Sequence, residues 1–195
     1  MAKRIVIILG HPDTCPERLV RALAAAYAEG ARAAGHDVRI IDIAAMEFPL
    51  LRTKHEFDEG AVPQSIREAQ TTISWAQHLV IFYPLWLGTM PALLHAFFEQ
   101  TFRPGFAAAP GNKGETWKKL LSGRSARIVV TMGMPALVYR WFFRAHALKG
   151  LERNLLGFAG IGPIKKTLYG LVEARSELTH DRWVAQVRDL GRNGQ

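Results

Sequence analysis

The chain has a single cysteine, Cys15, among 195 residues. An intrachain disulfide is therefore excluded, as is a structural zinc site built on several thiolates, and a reducing cytoplasm is the expected location. No metal site is expected. No window approaches the roughly 20 uncharged apolar residues that a bilayer-spanning helix requires, because the longest apolar stretches are broken by His78, Arg140 or Arg144. The opening run Ile5-Val6-Ile7-Ile8-Leu9 is short and has no small-residue cleavage pattern after it, so it reads as a strand rather than a signal peptide. Basic residues exceed acidic ones, 25 to 17, for a formal net charge of +8. They are dispersed in pairs such as Lys118-Lys119 and Lys165-Lys166, without a run of five or an aromatic RNA-binding signature, so anions in general rather than nucleic acid are the expected partners. The three-glycine dinucleotide fingerprint is also missing from the first strand-helix turn, which excludes a standard nicotinamide-binding Rossmann turn.

What is present is an alternation of strand-like runs and helical periods from end to end. At 49% hydrophobic content the chain can bury one sizeable core, so residues 1–195 are expected to form one domain. Strands are expected over Arg4 to Leu9, Asp37 to Asp42, His78 to Tyr83, Ser125 to Met132 and Pro163 to Tyr169. Helices are expected over Glu17 to Ala34, with Pro16 in the first turn, then Ser65 to Gln77 and Pro91 to Phe102. Two more are expected from Val138 to about Phe158, interrupted near Gly150, and from Glu177 to Leu190. Ile43 to Pro63 reads as a long functional or interface loop. The pattern predicts an α/β three-layer sandwich, a five-stranded parallel sheet with helices on both faces.

Ligands of such sheets sit at the carboxyl ends of the strands. Loop one, Gly10 to Pro16, places backbone N–H groups beside a helix dipole, with the Thr14 hydroxyl, the Arg18 cation and His11 at the strand end, a combination suited to phosphate. An ordinary helix cap is the competing reading. Loop two, Pro84-Leu85-Trp86-Leu87-Gly88-Thr89-Met90, carries a large aromatic just past a buried strand, where it either walls a planar ring or packs into the core. Loop three, Thr131-Met132-Gly133-Met134-Pro135, again joins a strand end to a glycine. Beyond it Tyr139 and His146 lie on one face if their helix is continuous, and both could donate protons.

With those loops in view, the sequence resembles the NAD(P)H quinone oxidoreductases of the flavodoxin-like superfamily, the group that includes DT-diaphorase, over roughly residues 3 to 150. The pieces that carry the resemblance are Phe82-Tyr83-Pro84-Leu85-Trp86-Leu87-Gly88-Thr89-Met90-Pro91-Ala92-Leu93-Leu94 and Phe102-Arg103-Pro104-Gly105-Phe106-Ala107. The resemblance implies a flavodoxin-like fold and a bound flavin, FMN or FAD. Hydride would pass from NAD(P)H to a small quinone-like acceptor. It places His11, Thr14, Cys15, Glu17 and Arg18 around the flavin phosphate, Pro84, Leu85, Trp86, Leu87 and Gly88 along the isoalloxazine, and Thr131, Met132, Gly133 and Met134 on the ring's other side. Tyr139 and His146 would be the catalytic pair, His146 standing one residue later than the family pattern has it. A serine is usual where this chain has Cys15, Phe-Asn where it has Glu17-Arg18, and a second glycine in loop three. The resemblance also implies a homodimer, with Ile43 to Pro63, Phe97-Phe98 and Trp141-Phe142-Phe143 as interface material, core burial being the other account of the aromatics. Two alternatives accompany it: a flavin-binding regulatory partner of a membrane transporter, and a scaffold without cofactor that serves as an interaction module.

Overall fold

The computed structural model describes residues 1–111 and 117–195. Its strands are β1 (Arg4–Leu9), β2 (Asp37–Asp42), β3 (His78–Pro84), β4 (Ala108–Ala109), β5 (Lys118–Lys119), β6 (Ser125–Met132) and β7 (Ile164–Gly170). The helices are α1 (Leu19–Ala33), α2 (Lys54–Asp58), α3 (Gln64–Trp75), α4 (Ala92–Thr101), α5 (Ala136–Trp141), α6 (His146–Gly150) and α7 (Glu177–Arg192); α6 runs on into a π-helical stretch, Leu151–Gly157. Five strands form one parallel sheet in the order β2-β1-β3-β6-β7, while β4 and β5 pair apart from it. The register sets Leu9 beside Phe82 and Pro84 beside Thr131, so the loops after β1, β3 and β6 emerge together at one edge. The chain leaves β1 towards β2 and returns to β3 on the other side. The strand order therefore reverses between β1 and β3, the place where doubly wound sheets open a crevice.

Because both faces of the sheet are covered, the inner strands read as continuous apolar runs instead of alternating ones. Their side chains still divide by the period of two. Val6, Ile8, Leu79, Ile81, Tyr83, Ile128 and Val130 face α3, α4 and the α6 region. Ile5, Ile7, Leu9, Val80, Phe82 and Val129 face α1 and α7 through Val20, Leu23, Tyr27 and Val187. α1 and α7 meet at glycines: a Cβ on Gly30 would lie 2.0 Å from the Arg188 carbonyl oxygen, and one on Gly191 would lie 2.2 Å from that of Tyr27. The two backbones approach as closely as they do only because no side chain intervenes.

Four expectations need correction. Helix α1 starts at Leu19, and Pro16 lies in the turn ahead of it, because the Asp13 carboxylate takes the Cys15 N–H and the Arg18 guanidinium and holds residues 14–18 out of the helix. The helix expected from Val138 breaks at Arg144 and Ala145, not at Gly150: both residues are left-handed, with φ of 52° and 48°. The stretch Ile43 to Pro63 is not wholly loop, since it contains a 3-10 turn at Ile43–Ala45 and helix α2. It is pinned by the buried Arg103, which donates to the carbonyls of Glu56 and Gly60, and by Gln100 Nε2, which donates to the Pro49 carbonyl. Finally, Phe97 and Phe98 are core residues, whereas Trp141, Phe142 and Phe143 are exposed. Position decides this, for Phe97 and Phe98 lie mid-helix in α4, whose Leu94, Ala96, Phe97 and Phe98 are all buried, whereas Trp141 is the last residue of α5 and Phe142 and Phe143 follow it towards the left-handed break.

Candidate functional site

A cleft of about 770 Å³ opens at the β1/β3 edge. Its first wall is loop one. Gly10 N–H donates to the Phe82 carbonyl at 2.7 Å, and a Cβ there would meet Leu94 Cδ2 at 2.6 Å, so the chain leaves β1 through the residue that fits. The Asp13 N–H donates to His11 Nδ1 at 3.0 Å, which puts the imidazole proton on Nε2. Burial lowers the pKa of His11, so it is neutral at pH 7. The Asp13 carboxylate accepts the Cys15 N–H at 2.8 Å and pairs with Arg18 at 2.7 Å; that backbone bond and then the guanidinium hold its pKa below the usual carboxylate range. Arg21 ties the loop down, donating to the Asp13 carbonyl and forking onto Asp42 at 2.8 and 3.0 Å. α1 then begins with no side-chain cap and no acidic residue in its first turn, and its first residues Leu19 and Val20 line the cleft. An uncapped N-terminus of a 15-residue helix presents free N–H groups and a partial positive charge to whatever fills the cleft.

Loop two supplies the second wall. Leu85 N–H continues the sheet by donating to the Thr131 carbonyl at 2.7 Å. Trp86 and Thr89 then exchange N–H···O bonds of 2.9 Å each around Leu87 and Gly88, whose φ values are 48° and 81°. Two successive positive φ values make the turn a type I′ hairpin. Trp86 is 48% exposed, which excludes the core-packing reading, and meets His11 edge to face at 5.8 Å. Loop three and the chain after β7 close the other side. Glu173 Oε2 lies 2.8 Å from where a Cβ on Gly133 would be, so the absence of a side chain at that position gives the acidic loop room to lie against the backbone. His180, at the start of α7, contacts the Val172 carbonyl through Nε2 at 3.0 Å.

The cleft brings together His11, Glu17, Arg18, Pro84, Leu85, Trp86, Thr131, Met132 and Gly133. Thr14 and Cys15 stay in the loop-one turn, Leu87 and Gly88 form the tip of the hairpin, and Met134 packs towards the core; none of these lines the cleft. Met132 lines the cleft although its side chain is almost wholly buried. Tyr139 and His146 do not share a face of one continuous helix, and neither lines the cleft. Tyr139 is 1% exposed in the core, and burial raises its pKa. His146 is exposed on a different helix, beyond the left-handed break. The sequence reading missed Asp13, Leu19, Val20, Ala22, Val172, Glu173, His180, Asp181 and Val184. The strand-end rule applies to β7 as well as to β1, β3 and β6, so the loop after Gly170 was open to detection; α7 was not, since nothing in its sequence says which loop it overhangs. Among the described residues no cluster of three metal-ligating side chains occurs, and no helix is long and apolar enough to cross a membrane.

Strand order and cleft position define a doubly wound α/β protein of the flavodoxin type. A family model described as flavodoxin-like fold matches residues 3–190, and the chain belongs to that family. Among curated proteins, a ribosyldihydronicotinamide dehydrogenase-like protein of Penicillium crustosum is 26% identical over 155 residues, which are 67% of this chain and 57% of the relative, so the match spans little more than half of that protein's length. An uncharacterized NAD(P)H oxidoreductase of Haemophilus influenzae is 26% identical over 85% of this chain and 82% of its own. Among solved structures, the NAD(P)H:quinone oxidoreductase of Methanothermobacter marburgensis superposes with a TM-score of 0.81 over the full length of both chains at 22% identity.

Proposed function

We propose that this protein is a flavin-dependent oxidoreductase that passes hydride from NAD(P)H to a quinone or similar flat acceptor. The observation that carries this reading is Trp86, a large aromatic left half-exposed beside neutral His11 on the wall of a cleft into which an uncapped helix N-terminus opens. These residues fit a flavin. The α1 amides and Arg18 suit its phosphate, Trp86 offers a face for the ring, and Gly133 leaves its backbone free for the ring's polar edge once Glu173 swings aside. When bound, flavin accepts hydride from the nicotinamide and gives it to the acceptor.

The chain's own work is to position and to shield. Trp86 and Leu85 exclude water from one side of the cleft, while Val20 and Val184 do so lower down. His11, neutral with its proton on Nε2, can donate a hydrogen bond without adding a full charge. With Tyr139 buried in the core, His11 is the cleft residue suited to the donor role that the resemblance assigns to Tyr139 and His146, since the Nε2 proton of His180 is committed to the Val172 carbonyl.

Purified protein incubated with FMN or FAD is expected to retain yellow flavin, to bleach on anaerobic addition of NADPH or NADH, and to recover with a quinone. Trp86→Ala is expected to weaken flavin binding roughly tenfold by removing an aromatic contact of about 1 kcal/mol plus its buried area. A protein that stays colourless under every loading condition would overturn the reading.

The homodimer belongs to this proposal, and the face we assign to it runs from Leu137 to Phe143, where Trp141 is 75% and Phe142 is 79% exposed. Apolar exposure this dense on a monomer marks an association surface. Sedimentation velocity is expected to give a dimer for the wild type and a monomer for the Trp141→Ser, Phe142→Ser double variant; a wild-type monomer at tens of micromolar would refute the assignment.

A further inference from the structure

A second cavity, of about 510 Å³, lies across the loop-two hairpin from the cleft. Met90, Phe98 and Leu151 form its buried floor, with Phe102 and Leu155 on its sides. Its polar lining residues, Thr89, His95, Glu99 and Asn154, are all exposed, so the polar groups sit at the rim. The wall formed by Leu151 to Leu155 belongs to the π-helical stretch, a rare conformation concentrated at functional sites. The volume suits a small ligand or a large part of one, and the floor offers water nothing to bond with.

The two cavities share the hairpin. Trp86 lines the cleft, Thr89 lines the second cavity, and the two residues are hydrogen-bonded partners, so a strand-pair width of about 5 Å separates the sites. At the tip stands Leu87, fully exposed, in a left-handed conformation that asparagine or glycine adopts at lower cost. A leucine here bears backbone strain and gains no burial within the chain, yet it places an apolar side chain at the crossing between the two sites.

We propose that the second cavity binds the hydrocarbon tail of the acceptor, which makes the preferred substrates alkyl- or isoprenyl-substituted quinones. The identity of the head group rests on the oxidoreductase reading above; the affinity of the cavity for an apolar chain does not. With 2-alkyl-1,4-benzoquinones from methyl to decyl, KM is expected to fall about threefold per added methylene until the cavity is filled, with kcat little changed. In Leu155→Glu and in Ala147→Trp, the first charging the cavity and the second filling it, the ratio of methyl to decyl KM is expected to collapse towards one; circular dichroism reports whether each variant is folded.

A second readout needs no flavin. Fluorescence of N-phenyl-1-naphthylamine is expected to rise on binding the flavin-free protein, to be displaced by decanol, and to stay low with both variants. Probe binding lost in both variants, in a protein that reduces no quinone, would leave the cavity standing and sink the reading of the cleft. A quinone reductase whose KM ignores chain length, or a probe that binds both variants as it binds the wild type, overturns the proposal.

Discussion

Gly30→Ala is expected to lower the melting temperature by roughly 4–8 °C, an unusual cost for one methyl group on a helix. Alanine is the better helix former by about 1 kcal/mol, so propensity alone predicts the opposite sign. Contact decides. The new Cβ would sit 2.0 Å from the Arg188 carbonyl oxygen, which is backbone and cannot rotate away, so α7 must move by more than 1 Å. Overpacking of this kind costs up to about 3 kcal/mol, which leaves a net loss of ~2 kcal/mol, and a chain of this size loses about 2–4 °C per kcal/mol. Gly191→Ala, whose Cβ would meet the Tyr27 carbonyl oxygen at 2.2 Å, should cost a similar amount. Both glycines lie in the same helix pair, so the double variant should lose less than the sum, the first displacement having already made room for the second methyl. Urea titrations of the three variants test this, and additive losses would place the two contacts in independent parts of the interface. Because α7 also carries His180, Asp181 and Val184 into the cleft, the variants should weaken flavin binding as well, at a distance from it.

Acid is expected to destabilise the protein through His78 before the carboxylates titrate. His78 opens β3 almost wholly buried, 2.8 Å from Ser125 Oγ; burial first, and then the charges of Lys3 and Arg127, push its pKa down to about 4. In the unfolded chain the imidazole titrates near its ordinary value of 6.5. Between those values the unfolded state holds the extra proton, so stability is complete above pH 6.5 and falls as pH drops towards 4. At pH 4.5 the loss amounts to roughly 2.5 kcal/mol. His11, whose pKa is lowered as well, adds to it in the same direction. Denaturant unfolding at pH 7.5 and 4.5 should therefore show a large difference in the wild type and a much smaller one in His78→Gln. An equal pH dependence in the two proteins would assign the loss to other groups.

The sheet was legible because its strands are short apolar runs bounded by loops, and the bounds of β1, β2 and β6 match expectation to the residue. Helix ends were less legible. Nothing near Glu17 announces that Asp13 will turn back on its own loop and delay α1 until Leu19. The shared helix face expected of Tyr139 and His146 is absent for a related reason, since spacing in the chain implies a shared face only while φ and ψ stay helical, and Arg144 and Ala145 do not. Residues of all three loops line the cleft, yet within each the residue that enters it is a matter of hydrogen bonds and turn type, so Trp86 enters while Leu87 does not.

Local pattern and composition therefore determined the elements, their parallel sense and the strand ends at which a ligand is expected, because apolar periodicity and the strand-end rule depend on neighbours in the chain. Tertiary structure alone decided that Glu173, His180 and Asp181 overhang that edge, that Tyr139 is core, and that an apolar cavity adjoins the cleft. Each of these depends on how α5, the π-helical stretch and α7 pack on a sheet whose strands lie far away in sequence. Long-range contact, and at Gly30 and Gly191 the backbone itself, sets those positions.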